Sequence, residues 1–246
     1  MAAIGFSRDQ DQRIGQPVRR GETLRRALLV GGILSAVYYA AITAFVATQW
    51  EGYSSASRTI SELSAIGAPT RRLWELLCIP YTLLVIGFGW GVWQSAGRNR
   101  ALRIVAGSIL AFGALGVVGW PFAPMHSRAV LAAGGGTLGD TLHILLGGVS
   151  VFLMLLAIGF GATAFGRRFR LYSIATLVIL LVFGVLTFLD APGIAANRPT
   201  PWIGVWERIN IGVFLLWQVV LAIQLLRVRG AAAPEGGTSR MAARTG

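Results

Sequence analysis

Long uncharged apolar runs constrain this sequence more than any other feature. The run at 27–47, ALLVGGILSAVYYAAITAFVA, has no charged residue in 21 positions. An α-helix rises about 1.5 Å per residue, so about 20 apolar residues cross the roughly 30 Å hydrocarbon core of a bilayer. Six such runs predict an all-α polytopic membrane protein, a bundle of six transmembrane helices near Ala27–Ala47, Leu73–Ser95, Leu102–Phe122, Leu138–Gly161, Leu171–Leu189 and Val205–Leu226.

The basic residues are all arginine, and their placement predicts the orientation of the spans. The chain has 22 of them and a net charge of +12. Sixteen lie in the two tails and in the second and fourth loops, and six lie at the opposite end. Because cytoplasmic segments are enriched in Arg, we expect both termini in the cytoplasm and a multi-pass protein of the cell membrane. Arginines that flank apolar runs face the lipid bilayer, which argues against nucleic acid as a partner.

The sequence divides into one transmembrane domain and two polar tails. Residues 27–227 contain the six apolar runs. Residues 1–26 are rich in arginine and residues 228–246 are rich in small and polar residues, and both tails are predicted to be cytoplasmic and disordered. Cys78 is the single cysteine, so the chain cannot form an internal disulfide. It lies inside an apolar run.

The chemically active side chains gather at the arginine-poor end of the predicted bundle, which we call the outer end. Six of the ten acidic residues and both histidines belong to it. Asp140 and His143 in GDTLH are three residues apart and share a helix face. Ionisable side chains at membrane depth usually face a bundle interior or a water-filled cavity. We therefore expect a polar pocket, open to the outside, formed by Glu62, His126, Asp140, His143, Asp190, Glu207 and Arg208.

A simpler interpretation accounts for part of this set. Acidic residues in the first turn of a helix interact favourably with its positive dipole end, and Asp140 and Glu207 stand at predicted helix starts. Glu207 and Arg208 could also anchor the headgroup region. Asp190 does not fit, because the Ala-Pro that follows it predicts the end of the fifth span, where the dipole disfavours a carboxylate. His143 is the residue that the physics of helix starts explains least.

A sharper hypothesis is a divalent metal held by His126, Asp140 and His143, with Asp190 or Glu62 completing the site. Catalytic zinc needs three protein ligands and an open position for water, whose pKa it lowers. The D-x-x-H spacing alone is common by chance, and the sequence contains neither H-E-x-x-H nor Gly-x-Ser-x-Gly. The pattern therefore supplies candidate ligands without a signature of a metalloenzyme.

The polar segment RTISELSAIGAPTRR at 58–72 predicts a short amphipathic helix in the outer interface. Thr59 and Glu62 have the three-residue spacing of a capping box. Gly67 can end such a helix and Pro69 prevents its continuation. We interpret the segment as a lid over the outer pocket, and its Ser61 has no general base evident nearby in sequence.

Three short stretches resemble one known family. TISELSAIGAP lies between the first two spans, GDTLH opens the fourth span and WERINIG opens the sixth. Over residues 27–227 the chain resembles the domain of unknown function 998 family. The resemblance implies a six-helix integral membrane protein of bacteria and archaea. That family has no established activity, so it assigns no catalytic role to any residue.

Three classes of function fit these observations. The first is binding or transport of a small ligand, cation or lipid headgroup in the outer pocket, which we rank ahead of the others. The second is a membrane-embedded hydrolase, metal-dependent or not, that acts on lipid or an envelope precursor. The third is a non-catalytic membrane scaffold. A secondary transporter is disfavoured because the sequence shows neither broken helices nor a clear inverted repeat.

Overall fold

Seven α-helices make up the computed structural model, which describes the backbone of residues 8–230 and the side chains of residues 21–227. No β-strand occurs within residues 8–230. The two tails predicted to be disordered lie partly outside the described residues, and helix α1 begins at Arg8, within the first of them. The helices are α1 Arg8–Thr48, α2 Arg71–Ala96, α3 Arg100–Val118, α4 Arg128–Ala132, α5 Leu138–Gly161, α6 Arg167–Ala195 and α7 Ile203–Gly230.

Six of these helices are long and apolar enough to cross a membrane, which confirms the predicted six-span bundle. Only α4, with five residues, is too short. Measured by length and composition, the spans are Gly21–Thr48, Arg71–Ala96, Arg100–Phe122, Leu138–Gly161, Arg167–Ala195 and Ile203–Arg227.

The fifth span differs from its prediction at the outer end. Helix α6 continues through Pro192 to Ala195, although the Ala-Pro at 191–192 predicts a stop. The last turn is stabilised by packing, because Ile194 is buried in a cluster with Met125 and Ile203. Tertiary contact therefore outweighs the local cost of proline.

The central helices pack around one core. Helix α2 lies against α1 and α3, while α7 lies against α1 and α6. The contact between α5 and α6 is sparser than that between α3 and α5. Gly32 of α1 faces the Phe88 ring of α2 so closely that a Cβ at this position would overlap the ring. Gly32 therefore lies on a face of α1 that packs closely against α2 within one chain.

The three outer connections pack together into a layer, which we call the outer cap and define as residues 49–70, 119–137 and 196–202. The first and second connections meet where the Ile66 amide donates to the Met125 carbonyl at 2.7 Å. The short helix predicted in the first connection is present as a 3-10 helix, Ser61–Ser64. Ile60 and Leu63 are buried in a cluster with Trp74, so one side of this segment packs against the bundle.

Candidate functional site

One large cavity opens in the outer half of the bundle. Its volume is about 1640 Å³, and residues of α2, α3, α5, α6 and α7 line most of it. The walls are mostly apolar, with Phe112, Met154 and Leu180 among the deeper side chains. The charged and imidazole side chains that line it all belong to the outer end, namely Arg71, Glu75, Asp140, His143 and Glu207. The cavity therefore has an apolar body and a polar outer end.

The cavity extends far into the membrane-spanning region. On α5 its lining begins at Leu138 and reaches Met154. At about 1.5 Å per residue this stretch is about 24 Å long. Half of a hydrocarbon core of roughly 30 Å is about 15 Å, so the cavity reaches beyond the depth of one leaflet.

His143 places an unpartnered ring nitrogen at the polar end of the cavity. Its Nδ1 lies 2.8 Å from the Ala123 carbonyl oxygen, which can only accept a hydrogen bond. Nδ1 therefore carries the proton, and in the neutral ring Nε2 is an acceptor. The ring packs edge-on against Trp120, with 4.9 Å between centroids. The Nε2 atom is buried and has no hydrogen-bond partner.

Ser150 lies deeper on the same face of α5. The positions of His143, Gly147 and Ser150 are four and three residues apart, so they form one stripe along the helix. All three line the cavity. Ser150 is 6 % exposed, and its Oγ has no hydrogen-bond partner. Between the two polar groups, a Cβ added at Gly147 would meet nothing within 4 Å, so this stretch of the wall faces open space.

Glu207, at the start of α7, holds the first outer connection against the bundle. One carboxylate oxygen accepts from the Ile60 amide, and the other lies 3.5 Å from the Ser61 hydroxyl. This contact joins residues 147 positions apart in the chain. Glu207 thus combines a place in the cavity wall with a structural role in the cap.

Arg208 also holds the first outer connection against α7. Its Nη1 donates to the Ser55 carbonyl at 2.8 Å and to the Arg58 carbonyl at 3.1 Å. Its Nη2 donates to the Tyr53 hydroxyl at 2.8 Å. Burial raises the pKa of Tyr53 to about 12, although the neighbouring Arg208 guanidinium opposes this shift. Tyr53 therefore stays protonated at physiological pH and donates to the Thr59 carbonyl at 2.8 Å.

Glu62 and Arg128 form the centre of the outer cap. The Arg128 guanidinium meets the carboxylate in a two-point contact, with Nε–Oε1 at 2.7 Å and Nη2–Oε2 at 2.8 Å. Glu62 is only 2 % exposed. Arg128 also donates to the Ser57 carbonyl and to the Thr200 hydroxyl, so this one side chain connects all three segments of the cap.

The reciprocal half of the predicted capping box is present at Glu62. Its Oε2 accepts from the Thr59 amide at 2.9 Å and lies 3.2 Å from the Thr59 hydroxyl. The capping interpretation thus describes part of the role of Glu62, and the ion pair with Arg128 describes the rest. Sequence reasoning did not select Arg128. The available signal was that it is the single arginine of the second outer connection.

Asp140 anchors the start of α5 and orients His126. Its carboxylate forms a capping box with Thr137, as expected for an acidic residue in a first helical turn. The same carboxylate accepts from the His126 amide at 2.7 Å and lies 2.8 Å from His126 Nδ1. The ring of His126 does not line the cavity. Within residues 21–227 no hydroxyl or thiol bonds to that ring, so the pair lacks a nucleophile.

Asp190 lies apart from the other predicted site residues. Helix α6 continues five residues beyond it, so the prediction that Asp190 closes the helix was wrong. Asp190 does not line the cavity. It forms no hydrogen bond or ion pair with the other described residues.

The proposed metal ligands do not converge. Nδ1 of His126 is engaged by Asp140, and Nδ1 of His143 is engaged by Ala123. In the part of the chain with described side chains, no three His, Cys, Asp or Glu residues form a group that could hold a metal ion. The geometry therefore gives no support to His126, Asp140 and His143 as a metal centre.

The structure thus divides the seven predicted site residues by position. Asp140, His143 and Glu207 line the cavity, Glu62 lies in the cap, and Arg208 of α7 bonds to the cap. His126 borders the cavity through Asp140, and Asp190 is separate. Ser150 is an additional candidate, and its position on the face of His143 and Gly147 was the signal that could have identified it.

Comparison with known proteins places the chain in a family. Residues 33–224 match the family model described as protein of unknown function, DUF998. The matched region covers all six spans apart from residues 21–32 of the first and 225–227 of the last, and the chain belongs to this family. No curated protein and no solved structure matches the chain.

Proposed function

We propose that this member of the DUF998 family binds an amphipathic lipid, with the acyl part in the cavity and the polar part at its outer end. The observation behind this proposal is the division of the cavity wall, because its charged and imidazole side chains are confined to one end. A lipid has the same division between a polar and an apolar part. The proposal narrows the set of small ligands, cations and lipid headgroups to one class.

The size of the cavity favours a lipid over a small polar metabolite. Pockets for drug-sized ligands usually measure about 300–1,000 Å³. The cavity, at about 1640 Å³, exceeds this range. Its apolar depth would offer nothing to a hydrated cation, which needs oxygen ligands or opposite charge along its path.

The cavity also has a route to the surrounding bilayer. Ile144 of α5 and Val185 and Phe188 of α6 line the cavity and are exposed at the surface. In a membrane such side chains face lipid. The sparse contact between α5 and α6 would let an acyl chain enter sideways between them. With both termini in the cytoplasm, the polar end of the cavity faces the outer leaflet, which would supply the lipid.

Filling the cavity tests the proposal. A Gly147→Leu substitution places a side chain in open space within the cavity and should lower the affinity for a pyrene-labelled diacyl lipid at least tenfold. The control is Gly159→Leu on the same helix, where a Cβ also meets nothing within 4 Å but which does not line the cavity. Binding measured in detergent micelles should be unchanged in the control. Equal affinities in both variants and the parent protein would reject the proposal.

A further inference from the structure

We propose that the bound lipid is uncharged and that a hydroxyl of its polar end donates a hydrogen bond to Nε2 of His143, with Ser150 as a second contact deeper in the cavity. The inference rests on the proposed function and specifies the chemistry of its ligand. Three observations support it: the free atom of His143, the free atom of Ser150, and the engagement of the nearby charges.

The first observation is the acceptor that His143 leaves unused. The Ala123 carbonyl holds the proton on Nδ1, so Nε2 of the neutral ring can only accept. A buried polar atom without a partner loses its hydrogen bonds to water and gains none in return, which destabilises the protein. Such an atom at the polar end of a ligand-sized cavity is explained if a ligand donor completes it.

The second observation is that Ser150 is unsatisfied on the same stripe. Within residues 21–227 four buried side-chain atoms lack a partner, those of His143, Ser150, Tyr172 and Gln218. Only the first two line the cavity. Ser150 lies two helical turns below His143, about 10 Å deeper along the axis. Its hydroxyl can donate to an ester carbonyl where the polar part of a lipid joins its acyl chains.

The third observation is that the neighbouring charges already have protein partners. Arg71 pairs with Glu75 at 2.8 Å. Asp140 accepts from His126 and Thr137, and Glu207 accepts from the Ile60 amide. The groups left over at the cavity wall are therefore neutral. A phosphate or ammonium headgroup would compete with these contacts, whereas an alcohol needs only the acceptor that His143 supplies.

Two lipids that differ by one donor test the inference without any mutation. The probes are 1,2-dioleoylglycerol and its 3-O-methyl ether, which share their acyl chains, and binding is measured by native mass spectrometry of the full chain. The parent protein should bind the alcohol about tenfold more tightly, the effect of one buried hydrogen bond of roughly 1.4 kcal/mol. Equal affinities for the two lipids would overturn the inference.

The His143→Phe variant completes the cycle, because it keeps an aromatic ring and removes the acceptor. It should bind the alcohol about tenfold more weakly and no longer distinguish it from the ether. Discrimination that survives in this variant would assign the donor contact to another residue and overturn the inference. Ser150→Ala is a second test, and it breaks no hydrogen bond within the protein because the Ser150 hydroxyl has no partner. It should weaken the binding of both lipids to the same extent.

Further outcomes of these binding experiments distinguish a failure of this inference from a failure of the proposed function on which it rests. If both lipids bind equally and Gly147→Leu blocks both, lipid binding stands and the hydroxyl contact is rejected. If neither lipid binds the parent protein, both proposals fail. Tighter binding of dioleoylphosphatidic acid than of dioleoylglycerol would reject an uncharged ligand. A glucosyl dioleoylglycerol distinguishes a sugar hydroxyl from the glycerol hydroxyl, and preferential binding of either over the ether supports the inference.

Discussion

At the scale of single residues, the polar side chains of the outer end have two different roles. Glu62 and Arg128 bind each other, and both of them and Arg208 also bond to backbone groups and hydroxyls. His143 and Ser150 each keep one buried atom unused. The first group stabilises the cap, and the second is available to a ligand. Charge at the outer end is therefore mainly structural, and the atoms available for recognition are neutral.

Removing one partner of the central ion pair should destabilise the protein strongly. In Glu62→Gln the Arg128 side chain, which is only 11 % exposed, loses its counter-charge, and breaking a buried pair from one side costs about 3–5 kcal/mol. The matched control is Glu75→Gln, which breaks an Arg–Glu pair whose Glu side chain is 52 % exposed. Exposed pairs contribute about 0–1 kcal/mol. Unfolding in mixed micelles should show this difference, and equal losses in the two variants would refute a structural role for Glu62.

At the scale of elements, close approach of helix backbones decides where the bundle is rigid. Gly32 brings α1 against Phe88 of α2, and the Gln218 side chain of α7 donates to the Gly32 carbonyl at 2.9 Å. Three helices therefore meet at this glycine. Helices α5 and α6 lack a comparable seam, because Gly147 and Gly148 of α5 face open space. The same residue type thus marks tight packing on one side of the bundle and the cavity on the other.

A pair of adjacent glycines tests this contact between α1 and α2. In Gly32→Ala the added methyl overlaps the Phe88 ring and should cost about 1–3 kcal/mol of stability through overpacking. Gly31→Ala is the control, because its methyl would lie 3.7 Å from the nearest atom, the Leu84 carbonyl oxygen. Thermal unfolding in detergent should separate the two variants, and a Gly32→Ala protein as stable as the Gly31→Ala protein would contradict the packing described.

At the scale of the whole molecule, the polar and apolar parts are arranged along one axis. The outer cap closes one end of the bundle, and the cavity below it becomes apolar with depth. The arginine-rich connections lie at the other end. This polarity gives a direction to the proposed lipid site only if the cap faces away from the cytoplasm.

Cysteine labelling in intact cells tests that orientation. In a Cys78→Ala background, Ser55→Cys in the cap should react with a membrane-impermeant maleimide, because Ser55 is exposed at the outer end. Arg98→Cys, exposed in the connection between α2 and α3, should react only after permeabilisation. The reverse pattern would show that the termini are external and would move the proposed lipid source to the inner leaflet.

The sequence alone determined the six spans, because the length of an apolar run and the arginines that flank it are local properties. These properties decide directly whether a segment is stable across a bilayer. The sequence also located the chemically active residues at one end of the bundle. Only the tertiary structure decided what each of them does. Glu62 and Arg128 are 66 positions apart, so their pairing depends on which connections meet, and no local pattern encodes that meeting. Nε2 of His143 remains without a partner for the same reason, since a cavity is defined by what the surrounding helices leave unfilled.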